Sequence, residues 1–196
     1  MRTASHMPRK SDARVRMVDA GVDLIGRRGM RTTLLNVADH AAAPRGSIYH
    51  HFPNGREDLI AAVATKLDDD LARSVRPAAL RHRHAVPFLR QLVEDQAAHL
   101  TASNFERGCP LIGLVASGGS DAPASAAVVA ALMTSWAGHI ADALEAKGLD
   151  VDQAGRTAEL LVAMIEGCDV VARATGSAGP FVGLAQAVPA LLATPY

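Results

Sequence analysis

"LLNVADHAAAPRGSIYHHF", Leu34 to Phe52, decides the fold. Two short runs flank a turn of three alanines, Ala41 to Ala43, and Pro44 brings a fixed backbone angle suited to the first turn of the second run. Thr32 or Thr33 caps the first run, which reaches about His40. In the second, Ile48 and Phe52 stand at i and i+4 and face inward together. Ahead of both lies a longer segment from Ser11, as cap, to Arg28, with Met17, Val18, Val22, Leu24 and Ile25 as its inner stripe. Gly29 supplies its left-handed stop. A supporting helix followed by two short helices across a tight turn is a helix-turn-helix, whose second helix enters the DNA major groove.

The residues left facing outward suit that task. Arg45 can reach guanine edges or a phosphate, Gly46 lets the backbone approach closely, and Ser47 can donate to either. Tyr49 and His50 follow one turn later, where a phenol and an imidazole can hold phosphates and set register. Thr32 and Thr33, at a helix N-terminus, suit a phosphate oxygen, and Ala43 and Pro44 complete the approach. His51 is a packing or capping residue. A metal reading of the histidine pair fails on spacing, because a zinc-protease-type helix places its histidines at i and i+4, whereas His50 and His51 diverge. His82 and His84 are similarly isolated, and no metal or cofactor set emerges.

Beyond this motif the pattern stays helical, with no alternating strand signal longer than a few residues. Asn54 as cap and Glu57 three residues later predict a fourth helix, ended by Pro77, with Asp68, Asp69 and Asp70 on a solvated face. Further helices are expected from Val86 to about Ser103, over "CPLIGLVAS" with Pro110 in its first turn, and from Asp121 to Lys147 with Gly148 as stop. The last two run from Asp152 to about Thr175, stopped by Gly176, and from Pro180 to about Leu192, kinked or shortened by Pro189. The expected architecture is all-α, with about nine helices.

The formal net charge of zero hides an asymmetry: through Arg56 ten Lys/Arg face four Asp, a net +6, and the remainder has ten basic against sixteen acidic residues, a net −6. A basic head on an acidic body implies that the head alone meets a polyanion. No apolar stretch approaches the roughly 18 residues needed to span a bilayer. Cys109 and Cys168 are far apart without CxxC spacing, and no signal-peptide pattern is present, which fits a reduced cytoplasm without a membrane partner. "MRTASHM" has the look of a cloning scar. The expected division is residues 1–8 as tag remnant, 9–70 as DNA-binding head, and 71–196 as a helical body for ligand binding and dimerisation.

In that body the helix from Asp152 is apolar over more than half its circumference: Leu161, Ile165, Cys168 and Ala172 mark one stripe, Leu160, Met164 and Val171 its neighbour. Such a helix is buried on two sides, and a second copy of the chain can cover one of them. Leu161, Ile165, Cys168 and Ala172, with Phe181, Leu184 and Val188 of the last helix, are the interface candidates. Residues able to meet between the C-terminal helices are Leu92, Gln96, His99, Phe105, Cys109, Leu111, Met133, Trp136, His139, Ile140, Met164 and Asp169. A mostly apolar lining with a few polar groups suits a small drug-like or aromatic compound.

"GMRTTLLNVADHAAAPRGSIYHHFPNGREDLIAAV" resembles the DNA-binding domain of the TetR family of bacterial transcriptional repressors, and "PNG" before the fourth helix with the later "GCPLIGLVAS" resembles its LmrA/YxaF-like branch. The motif match covers about Ser11 to Lys66. It implies a homodimer that binds a palindromic double-stranded operator and releases it when a small molecule enters the C-terminal domain, with the fourth helix as lever and a hinge near Val75 to Pro77. Ala42 and Ala43 replace the family's usual Gly and Val, so Ala42 must accept an uncomfortable backbone angle. Pro44, where many members carry Ser, removes one donor to DNA. Two other classes compete: a redox-sensing DNA binder using Cys109 or Cys168, and an enzyme built on the helical body. No nucleophile stands beside a base at credible spacing for the second.

Overall fold

The computed structural model describes residues 10–117 and 123–193, and among the described residues the regular structure is entirely helical. The helices are α1 (Lys10–Arg28), α2 (Leu34–His40), α3 (Ile48–His51), α4 (Arg56–Arg81), α5 (Ala85–Ala102), α6 (Pro110–Ser117), α7 (Pro123–Glu145), α8 (Val151–Thr175) and α9 (Gly179–Ala193). The expected tag remnant, residues 1–8, and the expected start of α7 at Asp121 lie outside the described residues.

Local chemistry sets most boundaries. α1 is helical from Lys10, one residue ahead of the expected cap, and Gly29 ends it at φ 56°. Thr33 caps α2: its hydroxyl accepts the Asn36 amide, while the Asn36 side chain accepts the Thr33 amide in return. α8 starts behind Asp150, whose carboxylate accepts the Gln153 amide, and stops at Gly176 at φ 62°. At α4 the sequence misleads. Gly55, at φ 67°, is the cap, and Asn54 instead donates its backbone amide and Nδ2 to the Asp58 carboxylate at 2.8 and 3.1 Å.

Pro77 also fails to end α4, which runs four residues further to Arg81, and α9 likewise continues through Pro189. Proline forfeits one helical hydrogen bond, about 3 kcal/mol in a helix interior. Here burial offsets it: Val75 and Ala78, on either side of Pro77, both pack into the core around Phe88, Leu89 and Leu144. A hinge at Val75 to Pro77 is therefore replaced by a continuous helix.

Two apolar cores result. One joins α1 to α4 with Cys109 just before α6, Leu111 and Leu114 of α6 and Val129 and Leu132 of α7; the other joins α5, α8 and α9 to the later turns of α4 and α7. Trp136 on α7 touches both. The apolar packing thus crosses the expected boundary at residue 70. α7 departs from a second expectation: Ala126–Glu145, of mean hydropathy 1.3, is by length and composition apolar enough to cross a membrane. The many alanines and valines of α7 carry few charges, and its Leu132, Ile140 and Leu144 are spent on the two cores.

Candidate nucleic-acid interface and effector cavity

The recognition segment opens as a 3₁₀ turn, Arg45–Ser47, behind Pro44 as cap, and becomes α-helical at Ile48. Pro44 therefore stands just outside the helix, with ψ 128°. Ile48 and Phe52 are fully buried and anchor it to α1 and α4. Ala42 takes the left-handed conformation at φ 48°, and the turn closes through Ala43 N donating to Ala38 O at 2.9 Å. Arg16 Nε donates to Ala41 O at 3.1 Å, and the Arg14 guanidinium lies 5.3 Å above the Phe52 ring, so α1 clamps the turn from behind.

Pro44, Arg45, Gly46, Tyr49 and His50 are exposed, Tyr49 at 56%. A side chain at Gly46 would meet nothing within 4 Å, leaving room for a close surface. Ser47 Oγ donates to Pro44 O at 2.6 Å. Arg45 is already engaged: its Nε and a terminal nitrogen donate to both oxygens of Asp39 on α2, at 2.8 and 2.7 Å. The hydrogen bonds hold the Asp39 carboxyl below its ordinary range and raise the guanidinium of Arg45. His50 and His51 meet edge to face with centroids 5.3 Å apart. Ala43 is buried and contributes packing.

Thr32 corrects the expectation of a phosphate contact. It is 4% exposed, and its hydroxyl donates to Leu24 O at 3.0 Å, because the 3₁₀ turn Gly29–Arg31 folds it back against α1. Its carbonyl accepts Arg56 at 2.9 Å. Thr33 is the exposed member of the pair.

Between the two cores lies a cavity of about 590 Å³. α1 and α4 supply Asp19, Val22, Asp23, Lys66, Leu67 and Asp70; α5, α7 and α8 supply Leu92, Asp95, Gln96, His99, Trp136, Ile140, Val162, Ile165 and Glu166. The loop before α6 adds Arg107, Gly108 and Cys109. Of the expected lining, Leu92, Gln96, His99, Cys109, Trp136 and Ile140 meet there. Phe105, Leu111, Met133, His139, Met164 and Asp169 do not. Leu111 is fully buried in the head core, Met133 packs against that core, and Phe105 and Met164 pack against the other. His139 turns to α4, with Nε2 3.3 Å from Asp68 Oδ1. Asp169 sits behind the wall and accepts the Cys109 amide at 3.3 Å.

Sequence reasoning missed the charged lining. Lys66 is held by Asp70 at 2.7 Å and faces Asp19 at 3.8 Å; Arg107 lies 3.4 Å from Asp23. Asp23 also receives Arg27 at 3.1 Å and stands 3.5 Å from His40 of α2, so one carboxylate touches the cavity and the helix-turn-helix alike. Glu166 is 6% exposed, its Oε2 has no hydrogen-bond partner among the described residues, and burial pushes its carboxyl up to about 7. A signal existed, since Glu166 falls between Val162 and Asp169 on one helical stripe. Burial and the neighbouring Arg107 lower His99.

The cysteines occupy unreactive surroundings. Cys109 is buried, and desolvation together with Glu166 raises its thiol well above the ordinary value. The Cys168 thiol is raised by burial and donates to Pro180 O at 3.4 Å. Thiolate is the reactive form, and both sites disfavour it.

Most of the expected interface residues turn inward within the chain. Leu161, Ala172, Phe181, Leu184 and Val188 are buried in the chain's own core, with Ile165 and Cys168 half-buried against it. The large apolar side chains that α8 and α9 leave exposed are Val151, at the start of α8, and Leu160, Val170, Val171 and Val182 further along. The physical reason is register: one residue is about 100° around a helix, so adjacent stripes exchange inside and outside.

Comparison with known proteins agrees with this arrangement. The family described as bacterial regulatory proteins, tetR family, matches residues 17–63, and the family of transcriptional regulator LmrA/YxaF-like C-terminal domains matches residues 85–187. An HTH-type transcriptional regulator of Mycobacterium tuberculosis is 30% identical over 82% of this chain and 84% of its own length. The HTH-type transcriptional regulator YxaF of Bacillus subtilis is 24% identical over 95% of this chain and 98% of its own. The solved regulatory protein TetR from Rhodobacter sphaeroides shares the fold at TM-score 0.79 and 21% identity, covering 90% of this chain and 96% of that one. With a helix-turn-helix head and a matching helical body, the chain belongs to the TetR family of bacterial transcriptional regulators, in its LmrA/YxaF-like branch.

Proposed function

We propose that the protein is a ligand-responsive repressor that binds a palindromic operator as a homodimer and leaves it when a small, mostly apolar molecule fills the cavity. One observation carries this reading: the cavity wall is shared, with α1 and α4 on one side and α5, α7 and α8 on the other. A ligand there contacts the head and the body at once. Its differential affinity for two head positions becomes a change in operator affinity.

Arg45 and Ser47 read bases, and Thr33, Tyr49 and His50 hold phosphates. The partner copy covers Leu160, Val170, Val171 and Val182 on α8 and α9, an exposed apolar set that joins the two helices. Two heads must then stand roughly 34 Å apart to enter successive major grooves.

Selection of bound sequences from a random duplex pool, followed by titration at several salt concentrations, tests the proposal. The expected result is a two-fold symmetric consensus whose affinity falls steeply with salt. Recovery of no consensus and no salt-dependent affinity would sink it.

A further inference from the structure

We propose that the cavity takes an organic cation, an apolar body bearing a protonated amine whose N–H groups donate to the Glu166 carboxylate. This rests on the reading of the cavity as the effector site, and names the class of molecule that enters.

The wall is apolar where it is broad: Val22, Leu67, Leu92, Trp136, Ile140 and Val162 supply most of it. The lining carries Asp19, Asp23, Asp70, Asp95 and Glu166 against Lys66 and Arg107; Arg27 and Arg73 also pair Asp23 and Asp70, which leaves Asp95 and Glu166 without a cationic partner among the described residues. Lys66 is held by Asp70, and Arg107 leans on Asp23 through a terminal nitrogen at 3.4 Å while its Nε has no hydrogen-bond partner among the described residues. Burial, and after it the neighbouring Arg107, lowers the His99 imidazole. A concave, low-dielectric site with excess negative charge concentrates cations and repels anions.

Glu166 makes the preference specific. A carboxylate out of water is costly unless a charge-assisted hydrogen bond meets it. Glu166 is nine-tenths buried with one oxygen unpartnered, and its described neighbours are the Cys109 thiol and the like-charged Asp169. Neither supplies a positive charge. Trp136 Nε1 is buried and likewise unpartnered among the described residues, a donor that an ether, hydroxyl or carbonyl oxygen on the ligand would satisfy. An anionic ligand would instead set a second negative charge beside Glu166. A neutral one would leave the Glu166 carboxylate without a positive partner.

Three probes of one shape separate the possibilities: 3,3-diphenylpropylammonium, 3,3-diphenylpropan-1-ol and 3,3-diphenylpropanoate. Trp136 is the chain's single tryptophan, so its fluorescence in the full-length protein reports binding at this wall. The ammonium should bind about 10-fold tighter than the alcohol and about 100-fold tighter than the carboxylate. Glu166→Gln should shrink the ammonium-to-alcohol ratio to about 3-fold or less, and Glu166→Asp, which keeps the charge but withdraws it, should give an intermediate ratio. A carboxylate that binds as tightly as the ammonium, a ratio unmoved by Glu166→Gln in a protein that melts cooperatively, or no binding of any probe would overturn the proposal.

The same probes added to the operator complex distinguish the two levels. Tight ammonium binding without operator release would keep the cation site and overturn the effector reading. Release by all three probes alike, unchanged in Glu166→Gln, would keep the effector reading and overturn the cation site.

Discussion

Gly26 of α1 and Gly108 of the loop before α6 meet backbone to backbone: Gly108 N donates to Gly26 O at 3.3 Å, and a Cβ on Gly26 would lie 2.7 Å from Gly108 O. A second contact follows one turn on, where a Cβ on Gly113 would approach Gly29 Cα and Ile25 O at 3.0 Å. The loop that carries Arg107 and Cys109 into the cavity is thereby pressed onto the helix that supports the DNA-binding turn. Gly26→Ala should cost about 1 to 3 kcal/mol of stability, since backbone and not a flexible side chain occupies the space. Gly138→Ala, where a Cβ meets nothing within 4 Å, is the matched control and should be neutral or stabilising. Chemical denaturation of both variants checks the pair, and equal effects would refute the close contact.

The buried acid makes stability fall with pH. Burial lifts the folded Glu166 carboxyl to about 7, above its unfolded value near 4.3, so the folded state holds this proton more tightly. Its contribution is full below about pH 4.3 and is lost progressively as pH rises through about 7, by about 4 kcal/mol in all. Glu166→Gln removes the ionisation. Its melting temperature relative to the parent should rise steadily between pH 5 and pH 8, and a difference independent of pH would refute the assignment.

The αL alanine predicts a gain. Ala42 at φ 48° carries a strain that glycine lacks, so Ala42→Gly should stabilise the protein by about 1 kcal/mol and raise its melting temperature by about 2 to 4 °C. A lower melting temperature would mean that the lost methyl group outweighs the relieved turn.

At the DNA surface, Arg45→Ala should relax discrimination at one operator position by about 1 to 3 kcal/mol, if the guanidinium grips a guanine at two points. Asp39→Ala acts oppositely. It frees Arg45 from its bidentate partner and removes a negative charge beside the phosphates, and should tighten operator binding severalfold at low salt, less at high salt. Titration against single-base operator variants reads both effects. Weaker binding by Asp39→Ala would show that the ion pair presents Arg45 instead of withholding it.

For assembly, replacing Leu160 or Val171 with glutamate should leave a folded monomer in sedimentation experiments. Phe181→Ala, in the chain's own core, should instead lower the stability of each chain by about 3 to 5 kcal/mol. A Val171→Glu protein that still sediments as a dimer would move the interface elsewhere.

The sequence made the head legible because its cues are local: the i and i+4 pair Ile48 and Phe52, the glycine after Arg28 and Thr33 before Leu34 each act within a turn of themselves. What it hid depends on partners distant in the chain. Thr32 is withdrawn from the surface by Leu24, and Pro77 is tolerated because Val75 and Ala78 find a core built by α5 and α7. On α8 apolar residues surround most of the helix, so periodicity alone could not tell the inner stripe, Leu161 and Ala172, from the outer one, Leu160 and Val171. Leu92, Trp136 and Ile140 of the cavity lining were visible as apolar and aromatic residues. Its acids were not, because an isolated glutamate in a helix reads by default as solvated.

The shared first core bears on modularity. Residues of α1 to α4 close their apolar surface only with Leu111 and Leu114 of α6 and Val129 and Leu132 of α7. A head cut at residue 70 and transplanted onto another regulator would carry an unroofed patch. A chimera that exchanges operator recognition while keeping its fold must bring α6 and the first turns of α7 along, and with them the loop that lines the cavity. Under the proposed function, the choice of operator and the choice of effector are inherited together.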